Sequence, residues 1–157
     1  MHILLNNLLK IVFIATLFSP NETLSIEKGK WTFVKEDNWC YIGSIPLKED
    51  GDYTQRGDTY LIAFRINKDP EITIQVNAGY NYDESKAITL TIDNTNFELF
   101  GQGDSAWSES QDKEITFAMK KGKDMFVEGY SKRGTLTKDT YTLIGFTAAF
   151  NKLKKDC

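Results

Sequence analysis

From Trp31 onward the apolar residues recur mostly at every second position, and a period of two rather than 3.6 confines most of the chain to half-buried strands. KWTFVKE sets Trp31, Phe33 and Lys35 on one side. After the turn residues Glu36 to Asn38, NWCYIGSIP returns as the second arm of a hairpin that Pro46 ends. LKEDGDYTQRGD, residues 47–58, reads as a polar loop with Gly51 and Gly57. TYLIAFRIN is a strand that KDP turns into EITIQVNA, where Ile72, Ile74 and Val76 alternate with polar residues and leave one face wet. GYNYDES is a tyrosine-rich loop, KAITLTID pairs with TNFELF across a tight Asp93-Asn94 turn, and GQGDSAW reads as a further loop. KDMFVEGYS and TLTKDTYTLIG form the last hairpin around residues 132–135.

Two stretches break the period. Ser108 followed by Gln111 resembles a capping box, which predicts a helix from about Glu109 to Lys121 that buries Ile115, Ala118 and Met119 and stops at Gly122. Beyond Gly145, the residues Phe146, Ala149, Phe150 and Leu153 fall at helical spacing. About eight or nine short strands that do not alternate with helices predict a mainly β fold. The expected architecture is an antiparallel β-sandwich or partly closed barrel with one internal helix and a short C-terminal helix. An aromatic content of 13% agrees, because aromatic side chains favour the pleated surface.

The opening residues 1–25 have the profile of a signal peptide. Lys10 precedes an apolar run from Ile11 to Phe18, and Thr23 and Ser25 are placed for cleavage after Ser25. Asn6, Asn7 and Lys10 leave the run short of the ~20 residues that a spanning helix needs. Residues 26–157 are then a single β-rich domain, periplasmic or secreted, with no transmembrane segment after signal removal. Cleavage also removes His2, the only histidine of the chain, and leaves the net charge at −3. That balance gives no reason to expect nucleic acid as a partner.

Two cysteines remain, Cys40 and Cys157, the latter the last residue. An even count in an exported domain argues for one disulfide that fastens the C-terminal helix to the second strand. Two free thiols, or a bond from Cys157 to another chain, are the alternatives.

No catalytic motif emerges. GDSAW superficially resembles a serine-hydrolase elbow, but Trp107 replaces its second glycine and a histidine base is lacking after cleavage. Without histidine the usual zinc and copper sites are also out of reach, so no cofactor is expected. EDGDY, residues 49–53, lacks the spacing of a calcium loop. Tyr53, Arg56, Tyr60, Tyr80, Tyr82 and Trp107 fall in or beside loops, and these residue types favour contact surfaces; they form the candidate binding surface, against the plainer reading of barrel-end packing.

The pieces KWTFV, WCYIGSIP, YTQRGDTYL, TIDNTNFELF, GDSAW, MKKGKDMFVEGYSKRGT and DTYTLIGFTAAF, with the terminal cysteine, resemble the invasion-associated locus B family of Gram-negative bacteria from Trp31 to Cys157. The resemblance implies an exported β-rich envelope protein of a single-disulfide branch, with no catalytic motif to transfer. The expected function is non-enzymatic binding of another envelope component, protein or polymer, through the aromatic loops. An enzyme using Asp or Glu on carbohydrate or peptidoglycan, and a secreted factor in host-cell interaction, are the other readings.

Overall fold

The computed structural model describes residues 26–67 and 69–157; the signal-peptide expectation for residues 1–25 lies outside the described residues. The strands are β1 (Thr32–Lys35), β2 (Trp39–Ser44), β3 (Lys48–Gly51), β4 (Tyr60–Ile66), β5 (Thr73–Asn77), β6 (Ile88–Ile92), β7 (Thr95–Gln102), β8 (Ser105–Trp107), β9 (Asp124–Tyr130) and β10 (Leu136–Thr142). Helix α1 (Asp112–Lys121) lies between β8 and β9, and α2 (Phe146–Asp156) ends the chain.

The strands form one sheet in the order β1-β2-β4-β5-β8-β7-β6-β9-β10-β3, and every strand pair in it is antiparallel. Its curvature follows from connectivity. In a flat sheet the eight spacings from β2 to β3 would amount to roughly 38 Å. Yet only Ile45 to Leu47 join these strands, and the path from Ser44 to Lys48 reaches at most about 14 Å. The sheet must therefore curl until its far end returns to β2, which makes it a half-barrel. The Leu47 N–H donates to the Thr140 carbonyl at 2.7 Å and extends the β10 pairing to the link itself.

Ile42, Leu61, Ile74, Val76, Leu90 and Val127 point inward from the curled sheet, and the helices complete this core with Ile115 and Met119 of α1 and Phe146, Ala149, Phe150 and Leu153 of α2. Trp31 stands edge-on to Phe146 with ring centres 4.9 Å apart, while its indole N–H donates to the Thr142 carbonyl at 2.8 Å. Gly145 starts α2 with φ +84°, a conformation glycine adopts without the Cβ penalty. Cys40 and Cys157 are disulfide-bonded with Cα atoms 5.8 Å apart, so the end of α2 is tied to β2. A smaller cluster of Ile26, Tyr41 and Ile62 covers the outer side of β2 and β4.

Three expectations change. Residues 48–51 form a strand rather than a loop, since the open edge of β10 supplies its hydrogen bonds; its charged side chains suit an exposed sheet end. GQGDSAW is likewise not a loop: β7 runs to Gln102, turns at Gly103 (φ +63°) and returns as β8. Ser105 and Ala106 are buried there, small enough for the sheet centre between β5 and β7. Helix α1 begins at Asp112. Only half of the capping box forms, with the Ser108 hydroxyl accepting from the Gln111 N–H at 3.3 Å and donating to Asp112 at 2.9 Å.

Candidate functional site

In the β10 segment LTKDTYT, Thr137, Asp139 and Tyr141 point inward while Leu136 and Lys138 face out. The period of two thus drives a carboxylate into the barrel, where an unpaired charge would be costly. Arg56, from the connection between β3 and β4, answers it. Its two terminal nitrogens donate to the two Asp139 oxygens at 2.7 and 2.6 Å, and its Nε donates to the Ala78 carbonyl at 2.7 Å. The paired side chains are only 4% and 3% exposed. Burial works against the Arg56 charge, but the bonded carboxylate outweighs it and raises the guanidinium pKa. Burial also pushes the Asp139 carboxyl above its ordinary range, with Arg56 opposing that shift. A bidentate pair of this geometry fixes both side chains in orientation.

Aromatic rings sheathe the pair. The Arg56 guanidinium carbon lies 5.3 Å from the Tyr53 ring centre and 5.1 Å from that of Tyr80. The Tyr80 hydroxyl shares a 2.7 Å hydrogen bond with the Thr137 hydroxyl, and burial raises its pKa. The loops carrying these rings touch directly, with the Gly57 N–H donating to the Gly79 carbonyl at 2.9 Å; a side chain on Gly79, at φ +70°, would overlap Gly57.

Above this base a cleft of about 470 Å³ opens at the barrel end. Tyr53 and Tyr80 line it together with Ser131, Lys132, Arg133 and Thr135 of the β9–β10 turn. Hydrogen bonds hold the turn in place: Lys132 N–H to the Asn81 carbonyl at 2.9 Å, and Thr135 N–H to the Ser131 hydroxyl at 3.2 Å. The arrangement offers aromatic surface, hydroxyls and two cations on a rigid base, which is equipment for binding.

The structure unites only part of the expected surface. Tyr53 and Tyr80 line the cleft, and Arg56 reaches it as a buried strut rather than an exposed contact, because its charge is consumed by Asp139. Tyr60 borders an adjoining hollow with Asp58, Asn77 and Asp104; burial, then Asp104, raises its phenol pKa. Tyr82 is a correction. It is 1% exposed and packs in the core over Gly129, where a side chain would collide with its ring, and against Gly101, where a side chain would overlap Ile88 and crowd Tyr82. Trp107 lies on β8 against Phe100 with ring centres 5.9 Å apart, away from the cleft lining. The sequence marks residues 132–135 only as a hairpin turn and gives no site role to that turn, Thr137 or Asp139, although an Asp in the inward register of β10 is a usable signal for a buried cation partner.

A curled antiparallel β-domain, clasped by one disulfide and opening a loop-built cleft at its end, defines the class. The model of the family described as invasion associated locus B (IalB) protein matches residues 31–154, and the chain belongs to that family. The crystal structure of invasion associated protein b from Bartonella henselae has the same fold at a TM-score of 0.54 and 16% identity, over 78% of this chain and 95% of that one. No curated protein matches the sequence. No helix among the described residues is long and apolar enough to cross a membrane.

Proposed function

We propose that this chain is an exported envelope domain that works by binding, and that the cleft beside the Arg56–Asp139 pair receives another envelope component, protein or polymer. The observation that carries this reading is the construction of the cleft. Two tyrosines stack beside a buried ion pair that is itself unavailable for chemistry, and a cationic, hydroxyl-rich turn bonded to the Asn81 carbonyl shares the cleft with them. Support for export comes from the leader's composition and from a disulfide, a bond that persists in oxidising compartments. The carboxylate-enzyme reading has less behind it: Asp52 lines the cleft, while Asp139 is committed to both Arg56 nitrogens. Acid–base hydrolysis of a glycosidic bond needs two carboxyl groups free to act.

Site-specific photo-crosslinking in the native envelope tests the proposal. A photoreactive phenylalanine analogue at exposed Arg133 is expected to give a discrete adduct that the same analogue at Trp107 does not give. Adducts of equal yield at both positions, or none at Arg133, would overturn the assignment of the cleft.

A further inference from the structure

The α1–α2 junction carries a second surface that neither the fold nor the cleft explains. Ile144 is 85% exposed and Phe117 60% exposed, while the neighbour of Ile144 in sequence, Leu143, is buried. Ile144 does not dangle. Its N–H donates to the Thr142 hydroxyl at 3.1 Å and Gly145 next to it is held at φ +84°, so an ordered turn presents an isoleucine to solvent.

Lysines cluster where α1 meets α2, beside Phe117. Lys121 stands 4.2 Å from the Phe117 ring centre, and Lys120 stands 4.0 Å from that of Phe150. The Thr147 hydroxyl donates to the Lys120 carbonyl at 3.4 Å, which brings the end of α1 against the start of α2. Phe117, Lys120 and Lys154 line one shallow groove. Among the described residues, Lys120, Lys121, Lys123 and Lys154 have no carboxylate within ion-pair distance. Lys120 and Lys154 instead repel each other: burial first, then Lys154, lowers the Lys120 pKa. Of the nearby acids, Asp93 accepts from the Lys123 and Asp124 N–H groups, Glu71 pairs with Lys113 and Asp112 accepts from the Ser108 hydroxyl, while Glu114 borders Phe117 and Lys121 with no ion pair among the described residues, which leaves the lysines in excess.

We propose that this face docks on an anionic lipid bilayer, with Ile144 and Phe117 entering the headgroup boundary and Lys120, Lys121, Lys123 and Lys154 meeting lipid phosphates. Two features favour a bilayer over an acidic protein. The apolar groups are projecting tips rather than a pocket for a partner side chain, and the cations are flexible lysines rather than the arginine forks that read defined carboxylates. A phosphate surface would also relieve the Lys120–Lys154 repulsion. Docking here leaves the cleft to its own partner, so the two proposals stand independently.

The test uses the protein recovered from the envelope of expressing cells, with its amino terminus sequenced so that any leader contribution is the same in every variant. Co-sedimentation with vesicles of phosphatidylethanolamine and phosphatidylglycerol is compared with phosphatidylcholine alone. Binding is expected to the anionic vesicles, weakening steeply with salt. Each lysine near a charged surface contributes about five-fold in affinity, so a Lys120→Gln, Lys121→Gln, Lys123→Gln variant should lose on the order of 100-fold. Ile144→Ser with Phe117→Ser should weaken binding with no change in melting temperature, both side chains being solvent-facing. Absence of vesicle binding at low salt, binding untouched by the apolar pair, or capture by soluble polyanions at the same affinity as by vesicles would each overturn the proposal.

Discussion

Replacing Cys157 with Ser removes a cross-link that spans 117 residues of sequence. In the chain-entropy treatment, closing a loop of that length lowers the unfolded state's entropy by about 16 cal/mol/K, worth about 4.8 kcal/mol at 25 °C. A domain of about 130 residues has a total stability of roughly 7 to 20 kcal/mol, so the bond is a quarter of it or more. With an unfolding entropy of about 270 cal/mol/K, the expected fall in melting temperature is about 18 °C. The native side should change little. Phe146, Ala149, Phe150 and Leu153 bury α2 without help from the sulfur, and only exposed contacts such as Lys35 Nζ to the Asp156 carbonyl at 3.1 Å depend on the last turn. Calorimetry on the oxidised protein, the reduced protein, Cys157→Ser and the double variant Cys40→Ser, Cys157→Ser measures the effect, the double variant removing the buried thiol left at Cys40. Guanidinium unfolding adds a second signature, because without the cross-link the unfolded chain expands, exposes more surface and raises the m-value. A melting temperature within about 3 °C of the parent, together with an unchanged m-value, would refute the reasoning.

Asp139→Asn leaves the Arg56 cation buried without its counter-charge and should cost about 3 to 5 kcal/mol in urea unfolding, whereas Arg56→Met with Asp139→Leu should cost clearly less. Tyr141→Phe removes a fully buried hydroxyl that has no hydrogen-bond partner among the described residues; a gain of about 1 kcal/mol is expected, and a loss would mean the hydroxyl is satisfied in solution. Burial raises the Tyr82 and Tyr141 phenol pKa values, so these groups stay neutral in the folded protein where they would ionise in the unfolded chain. Their contribution is therefore whole below the unfolded value of about 10 and is lost as pH rises above it. Absorbance at the phenolate band should show these two tyrosines titrating only together with unfolding, and Tyr82→Phe should lessen the alkaline loss.

Local periodicity carried much of the fold in legible form. The Asp93-Asn94 turn, with φ +51° at Asp93, and the apolar positions of α2 follow from residues within one or two turns of each other. β3 and β8 do not, because their polar or small side chains have no strand signature of their own and are strands only where a neighbouring strand offers open hydrogen bonds. The site divides the same way. Tyrosine and arginine in loops were visible as contact residues, but whether each faces solvent, a cleft or the core depends on what packs over it.

The sequence by itself therefore determined the antiparallel β class, the helix at each break in the period, and the cysteine pair available to clasp the chain ends. Each is set by spacing along the chain or by simple count. Only the tertiary structure decided that a three-residue link between β2 and β3 curls the sheet. The same folding brings Arg56 onto Asp139 across 83 residues, sinks Tyr82 and leaves Ile144 outside. Those outcomes rest on which distant strands become neighbours, and that is settled by closing one core against all the chain's apolar faces at once.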